Sequence, residues 1–204
     1  YCKKEKKSNL LVYDAINKIL IKKNLLAPKL INQNYYKNYI EIEDFGDLTV
    51  FQMLRKKNIN KILYYKKIIL LLKNIQKIKK SKIKTFLNTQ YKIPNYSKEK
   101  LFNEANLFQQ WYLPKFIKGK KKNIEKRKIS KIFKKLLNNL IYNKKVFIHR
   151  DFHVSNIMIT KNGLGLIDSQ DAIFGNITYD LASLIDDVRF RTNNNLKEKI
   201  FNEF

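Results

Sequence analysis

The sequence predicts an α+β fold in which long helices come first and a tight group of short strands comes near the end. Three observations carry this. Apolar residues recur at helical spacing through several segments between residues 10 and 141; short apolar runs broken by turn residues fill 146–168; and Tyr39–Asp44 alternates apolar with acidic side chains. At 204 residues the chain can bury one sizeable core or two small lobes, with a division placed near residue 45. No repeat or Pro/Gly/Ser-rich linker marks a further domain.

Taken in order, Leu10–Lys23 is a helix carrying Leu10, Leu11, Ile16, Ile19, Leu20 and Ile21, and Leu25-Leu26-Ala27-Pro28 leads into a sheet. Tyr39–Asp44 is a half-buried strand. Lys61–Lys80 is a strong helix with Ile62, Ile69, Leu72 and Ile75 as buried candidates. Ser97 caps a helix bearing Leu101, Phe102, Ala105, Phe108 and Trp111, which Pro114 ends. Ile129–Ile141 is the next helix. Val146-Phe147-Ile148 and Ile157–Thr160 are short strands, and Lys161-Asn162-Gly163 turns the second into Leu164–Ile167 as a hairpin. Thr178 caps a last helix with Leu181, Leu184, Ile185 and Val188.

The chemistry sits between those strands. His149-Arg150-Asp151-Phe152-His153-Val154-Ser155-Asn156 forms the loop, and the hairpin returns Asp168 beside Asn156. Phosphoryl transfer needs a carboxylate to take the proton of an attacking hydroxyl and oxygen ligands to hold magnesium against the ATP phosphates. Asp151 fits the first role; Asn156 and Asp168 fit the second. His149 reads as a brace that hydrogen-bonds the loop, and His153 as a second brace or a phosphate or acceptor contact.

This composite pattern resembles the aminoglycoside phosphotransferase and choline kinase superfamily. A protein Ser/Thr kinase is the poorer match, because His153 stands where those enzymes carry Lys and Asp168-Ser169-Gln170 replaces Asp-Phe-Gly. Within the superfamily, His149–Met158 with Ile167–Leu184 resembles the bacterial kinases that act on the anomeric hydroxyl of N-acetylmuramate and N-acetylglucosamine. Ala27-Pro28, Ile42–Asp47, Gln76, Glu104, Phe108 and Trp111-Tyr112 extend the resemblance over nearly the whole chain. It implies a bilobal, protein-kinase-like fold with a truncated N-lobe, residues 1–45, and a mostly helical C-lobe, residues 46–204, shortened at its end. It also implies ATP and Mg²⁺ as cofactors and a small-molecule acceptor. By the same resemblance Asp151 is the base, Asn156 and Asp168 are metal ligands, and Asp180 ties a helix start to the loop. The backbone around Glu43 and Asp44 meets adenine, and Asp171, Glu104 and Trp111 are candidate substrate or phosphate contacts. Relatives carry an aromatic residue where this chain has Ser169. Two other readings stand beside this one: a kinase for an aminoglycoside or choline-like alcohol, and an inactive nucleotide-binding regulator or basic binding module.

Composition narrows the partners. The formal charge is +26, but the lysines are spread through the chain among abundant Ile and Asn, as A/T-biased codons would place them, so no specific nucleic acid is expected. The single cysteine, Cys2, excludes an internal disulfide and fits a reducing cytoplasm. Ile68–Leu72 is too short to span a bilayer, and no zinc-like Cys/His spacing is present.

Overall fold

Helix α1 (Ser8–Ile21) packs Ile16, Ile19 and Leu20 inward as the spacing requires, and carries the polar Asp14 and Asn17 on that same buried face. It belongs to the first of two units, residues 1–94 with 144–204; residues 95–143 form the second. The structure, a computed structural model, describes residues 3–140 and 145–204, so Cys2 and Ile141 lie outside the described residues.

In the first unit, β1 (Leu30–Asn34) and β2 (Tyr39–Ile42) form an antiparallel hairpin in which Asn34 faces Tyr39 and Leu30 faces Ile42. The strand ends at Ile42, two residues before the expected limit, although the Glu43 N–H still donates to the Lys29 carbonyl at 2.8 Å. Tyr39 and Ile40 are half-buried as expected, whereas Ile42 is 36% exposed, as is Ile31 of the partner strand at 69%; no third strand joins this pair among the described residues. Helix α2 (Val50–Leu54) starts from a capping box between Thr49 and Gln52. Asn60 caps α3 (Lys61–Gln76), whose Ile69, Leu72 and Ile75 are buried while Ile62 is only half-buried.

The expected continuation of α3 to Lys80 gives way to a feature that its alternation is too short to announce. The last turn tightens at Lys77, Ile78 drops into the core, and β3 (Lys82–Lys84) pairs with β4 (Gln90–Lys92).

Helices α4 to α6 make up the second unit. Ser97 Oγ accepts the Lys100 N–H and caps α4 (Lys98–Leu107). Pro114 does not end the helical run. A π-turn over Phe108–Tyr112 leads into α5 (Leu113–Phe116), where Pro114 occupies the first turn, the part of a helix that best tolerates its missing N–H. Helix α6 (Gly119–Asn139) starts ten residues before the expected Ile129, because the Lys/Glu/Arg-rich segment ahead of it has good helix propensity despite lacking an apolar stripe.

The later strands of the first unit follow the expected plan. Strand β5 (Lys145–Ile148) pairs antiparallel with β8 (Ile173–Asn176), and β6 (Ile157–Thr160) with β7 (Gly163–Leu166). Two bridges fasten the β6–β7 hairpin to the N-terminal segment: the Leu166 N–H donates to Leu26 and the Ile159 N–H to Leu48, each at 2.8 Å. Helices α7 (Tyr179–Ile185) and α8 (Asn194–Glu203) close the unit. Thr178 does not cap α7 through its side chain; its hydroxyl donates instead to Asn176 Oδ1 at 2.8 Å. The core gathers Ile16, Leu20, Leu54, Ile68, Leu72, Phe147, Phe152, Ile157, Leu166 and Leu184, each at 0% exposure and each contributing about 1.5–3 kcal/mol of transfer free energy.

Candidate active site

Strand β5 ends at Ile148, and from His149 the chain bends sharply around one carboxylate. The His149 N–H donates to Asp180 Oδ2 at 2.7 Å and the Arg150 N–H to Asp180 Oδ1 at 3.0 Å. This clamp, at the start of α7, holds Arg150 at φ +75°, a conformation costing an L-residue roughly 1–2 kcal/mol. Asp151 follows on the loop, half-buried, and its main-chain carbonyl accepts both the His153 N–H and the Asn156 Nδ2 group, at 3.1 Å each. Asn156 is thereby tied to Asp151 through its amide nitrogen, which leaves its side-chain oxygen for a ligand.

The hairpin brings the third residue in. The Ile167 N–H donates to the Asn156 carbonyl at 3.1 Å, so Asp168 leaves β7 next to Asn156. Asp168 takes the left-handed conformation, φ +62° and ψ +40°, and its Oδ1 accepts the Gln170 amide at 2.8 Å. Its carboxylate is exposed. Among the described residues no cluster of three or more His, Cys, Asp or Glu side chains could hold a metal alone. An amide oxygen and one carboxylate do suit magnesium, which usually keeps water and phosphate oxygens in its shell.

Burial shapes the titratable groups. Asp180 is fully enclosed, and burial pushes its pKa up to about 7 against the two backbone N–H donors that favour its anion, with the Asp151 charge adding to the rise. His149 is equally enclosed and is held down to about 4 by burial, opposed by the Asp168 charge and reinforced by His153. Its ring makes an edge contact with Phe152, and neither ring nitrogen forms a hydrogen bond of good geometry, although the Ile167 backbone lies close enough to favour the charged form. The brace that His149 supplies is its main-chain N–H rather than its imidazole. His153 is buried and its pKa is lowered, chiefly by burial and then by Arg189, while Asp187, Asp151 and Asp168 oppose this.

The remaining expected residues are dispersed. Asp171 is exposed and meets Arg150 at 3.5 Å. Glu43 and Asp44, with Phe45 and Gly46, line a cavity of about 580 Å³ bounded by Ile159–Asn162 at the opposite end of the hairpin from Asn156. Asp151, Asn156 and Asp168 do not line it. Asp44 Oδ1 accepts the Gly46 N–H at 2.8 Å, which turns the segment. In the second unit, Glu104 accepts the hydroxyl of the buried Tyr96, and Trp111 is 73% exposed.

One linkage was missed by sequence reasoning. Ser169, the departure from the family pattern noted in the sequence, is fully buried and donates to Asn17 Oδ1 at 2.5 Å, while Asn17 Nδ2 donates to the Pro28 carbonyl at 3.0 Å. A hydrogen-bonded chain thus runs from the Asp168 segment through α1 to Pro28. The available signal was a polar Asn17 among the apolar positions of α1. Gln76 acts similarly, donating to the Ile177 carbonyl ahead of α7 at 2.8 Å.

These features define a kinase-like phosphotransferase fold, which solved structures share. The chain matches the gentamicin complex of APH(2")-IIa with a TM-score of 0.70 at 17% identity, covering 99% of this chain and 67% of that one. A choline/ethanolamine kinase family protein from Mesorhizobium loti gives 0.61 at 9% identity, covering 97% and 60%. The chain belongs to the phosphotransferase enzyme family, whose model matches residues 64–203. Among curated relatives, an N-acetylmuramate/N-acetylglucosamine kinase of Neisseria meningitidis serogroup B is 38% identical over 96 residues, 47% of this chain and 28% of that protein. A kinase of that name from Pseudomonas aeruginosa is 24% identical over 161 residues, 79% and 44%. The chain therefore spans less than half the length of these curated relatives.

Proposed function

We propose that the chain carries the transfer site of an ATP- and Mg²⁺-dependent kinase acting on the anomeric hydroxyl of an N-acetylated amino sugar. The observation that carries the chemistry is the placement of Asp151, Asn156 and Asp168 on one loop and its adjoining hairpin, joined by the Asn156–Asp151 and Ile167–Asn156 hydrogen bonds. The acceptor is favoured by the 38% identity to a kinase named for those two sugars. In this reading the Asp151 carboxylate orients the sugar hydroxyl and takes its proton. The hydroxyl oxygen bonds to the γ-phosphorus as the bond to the β–γ bridging oxygen breaks, releasing ADP. Asn156 Oδ1 and Asp168 would hold Mg²⁺, which when bound supplies positive charge against the phosphate oxygens. Glu43 has committed its N–H to Lys29, so its contribution to adenine is its carbonyl oxygen. The site works in the cytoplasm, consistent with a sequence holding one cysteine; no described helix is long and apolar enough to cross a membrane.

Phosphorus NMR tests this with MgATP and, separately, N-acetylmuramate, N-acetylglucosamine, choline and an aminoglycoside. A sugar 1-phosphate resonance with the first two is expected. A phosphate ester formed only with choline or the aminoglycoside would replace the acceptor assignment, and ATP binding with no acceptor-dependent product would overturn the kinase reading.

A further inference from the structure

Helix α1 and the β3–β4 hairpin enclose a groove of about 460 Å³ whose charged lining is wholly cationic: Lys18, Lys22, Lys80, Lys82 and Lys84. Thr85, Asn88 and Gln90 complete its polar wall. Lys18 is paired with Asp14 at 2.7 Å, whereas Lys22, Lys80, Lys82 and Lys84 have no carboxylate partner among the described residues. Volumes of a few hundred Å³ suit small ligands.

Two features separate this groove from an ordinary solvated lysine face. The ladder sets Lys82 of the groove directly opposite Lys92, which lies outside the lining, a like-charge pairing that destabilises a hairpin and that an anion held at Lys82 would relieve. The hairpin is also fixed in place. Ile83 between the lysines is buried in the core, and Thr85 is 4% exposed with its hydroxyl 2.7 Å from that of Thr89. The Asn88 N–H closes the turn on the Thr85 carbonyl at 3.0 Å. Lys82 and Lys84, two apart on a strand, therefore leave the same face of a rigid element.

The lining indicates the ligand class. Lysine ammonium groups act as compact point charges that bind phosphate oxygens without a fixed fork geometry, and five of them line one groove, more positive charge than a single carboxylate would offset. No aromatic side chain lines the groove, so it lacks the platform on which single-stranded nucleic acids stack their bases. We propose that this groove binds a small polyanion bearing several phosphate groups, at a site distinct from that of Asp151, Asn156 and Asp168.

Inorganic tripolyphosphate serves as the probe, titrated calorimetrically into the chain in magnesium-free buffer at two salt concentrations. The variant Lys80→Gln/Lys82→Gln/Lys84→Gln is compared with Lys56→Gln/Lys57→Gln/Lys199→Gln, which loses the same formal charge from exposed positions outside the groove. Circular dichroism melting checks that both variants remain folded. Saturable one-site binding is expected, weakened at least about tenfold in the groove variant and less than about threefold in the control, with a shallower salt dependence when the groove lysines are gone. Equal weakening in both variants, or no saturable binding, would overturn the site. A short single-stranded RNA that binds more tightly than tripolyphosphate and is indifferent to the groove substitutions would also overturn it, leaving diffuse attraction to polyanions.

Discussion

Gly165→Ala probes how the β6–β7 hairpin is joined to the segment before α2. Gly165 lies in β7 opposite Met158, and a Cβ added there would stand 2.6 Å from Phe45 Cε2 and 2.7 Å from Cδ2. Carbon atoms rest at about 3.5–4.0 Å, so the ring has to retreat by roughly 1 Å. Phe45 directly follows Glu43 and Asp44, and its displacement moves the proposed adenine contact. Overpacking of this kind costs about 1–3 kcal/mol. Urea denaturation should show that loss, and kinetics with ATP varied should show a raised KM with little change in kcat. Phe45→Leu in the same chain shortens the obstructing group, and a double-mutant cycle should recover about 1 kcal/mol of coupling. A stability loss below about 0.5 kcal/mol with no coupling would refute the reasoning, since a close contact between these residues could not then be limiting.

Three further outcomes follow from the site. Ser169→Ala removes the donor to the buried Asn17 Oδ1 and should destabilise the fold by about 1–3 kcal/mol, read by thermal or urea melting; an unchanged midpoint would count against the buried linkage. Asp180, raised by burial from 3.8 to about 7, stabilises the fold fully below its unfolded value and loses that contribution as pH rises through 7. His149, lowered by burial from 6.5 to about 4, does the reverse: its contribution is present above 6.5 and is lost as pH falls through 4. These slopes oppose one another between the two values. Asp180→Asn should unmask a midpoint that rises from pH 4 to 6.5 and then levels, whereas a profile parallel to that of the parent chain would exclude Asp180 titration. The same substitution also weakens the clamp on the strained Arg150, and activity should fall even at the pH of greatest stability.

What could be read from the sequence depended on the range of the forces involved. Helices α1 and α3 and the β6–β7 hairpin announce themselves through apolar periodicity and a Lys-Asn-Gly turn, all local signals. The grouping of Asp151, Asn156 and Asp168 follows from the loop and hairpin for the same reason. The β3–β4 hairpin was not legible, because Lys82–Lys84 offers one buried side chain between two lysines, too short a run to register as alternation. Pro114 misled because a proline that ends one helical run can equally begin the next. Nor could sequence spacing show Ser169 meeting Asn17, a contact between residues 152 positions apart that depends on how α1 packs.

The central claim rests on Asp151, and the most direct measurement compares Asp151→Asn with the parent chain for phosphoryl transfer and for ATP binding in parallel. The substitution keeps size and hydrogen-bonding capacity but removes the base. Transfer should fall by about 10²–10⁴-fold while ATP binds with nearly unchanged affinity. Undiminished turnover in the variant would remove Asp151 from the mechanism and contradict the account.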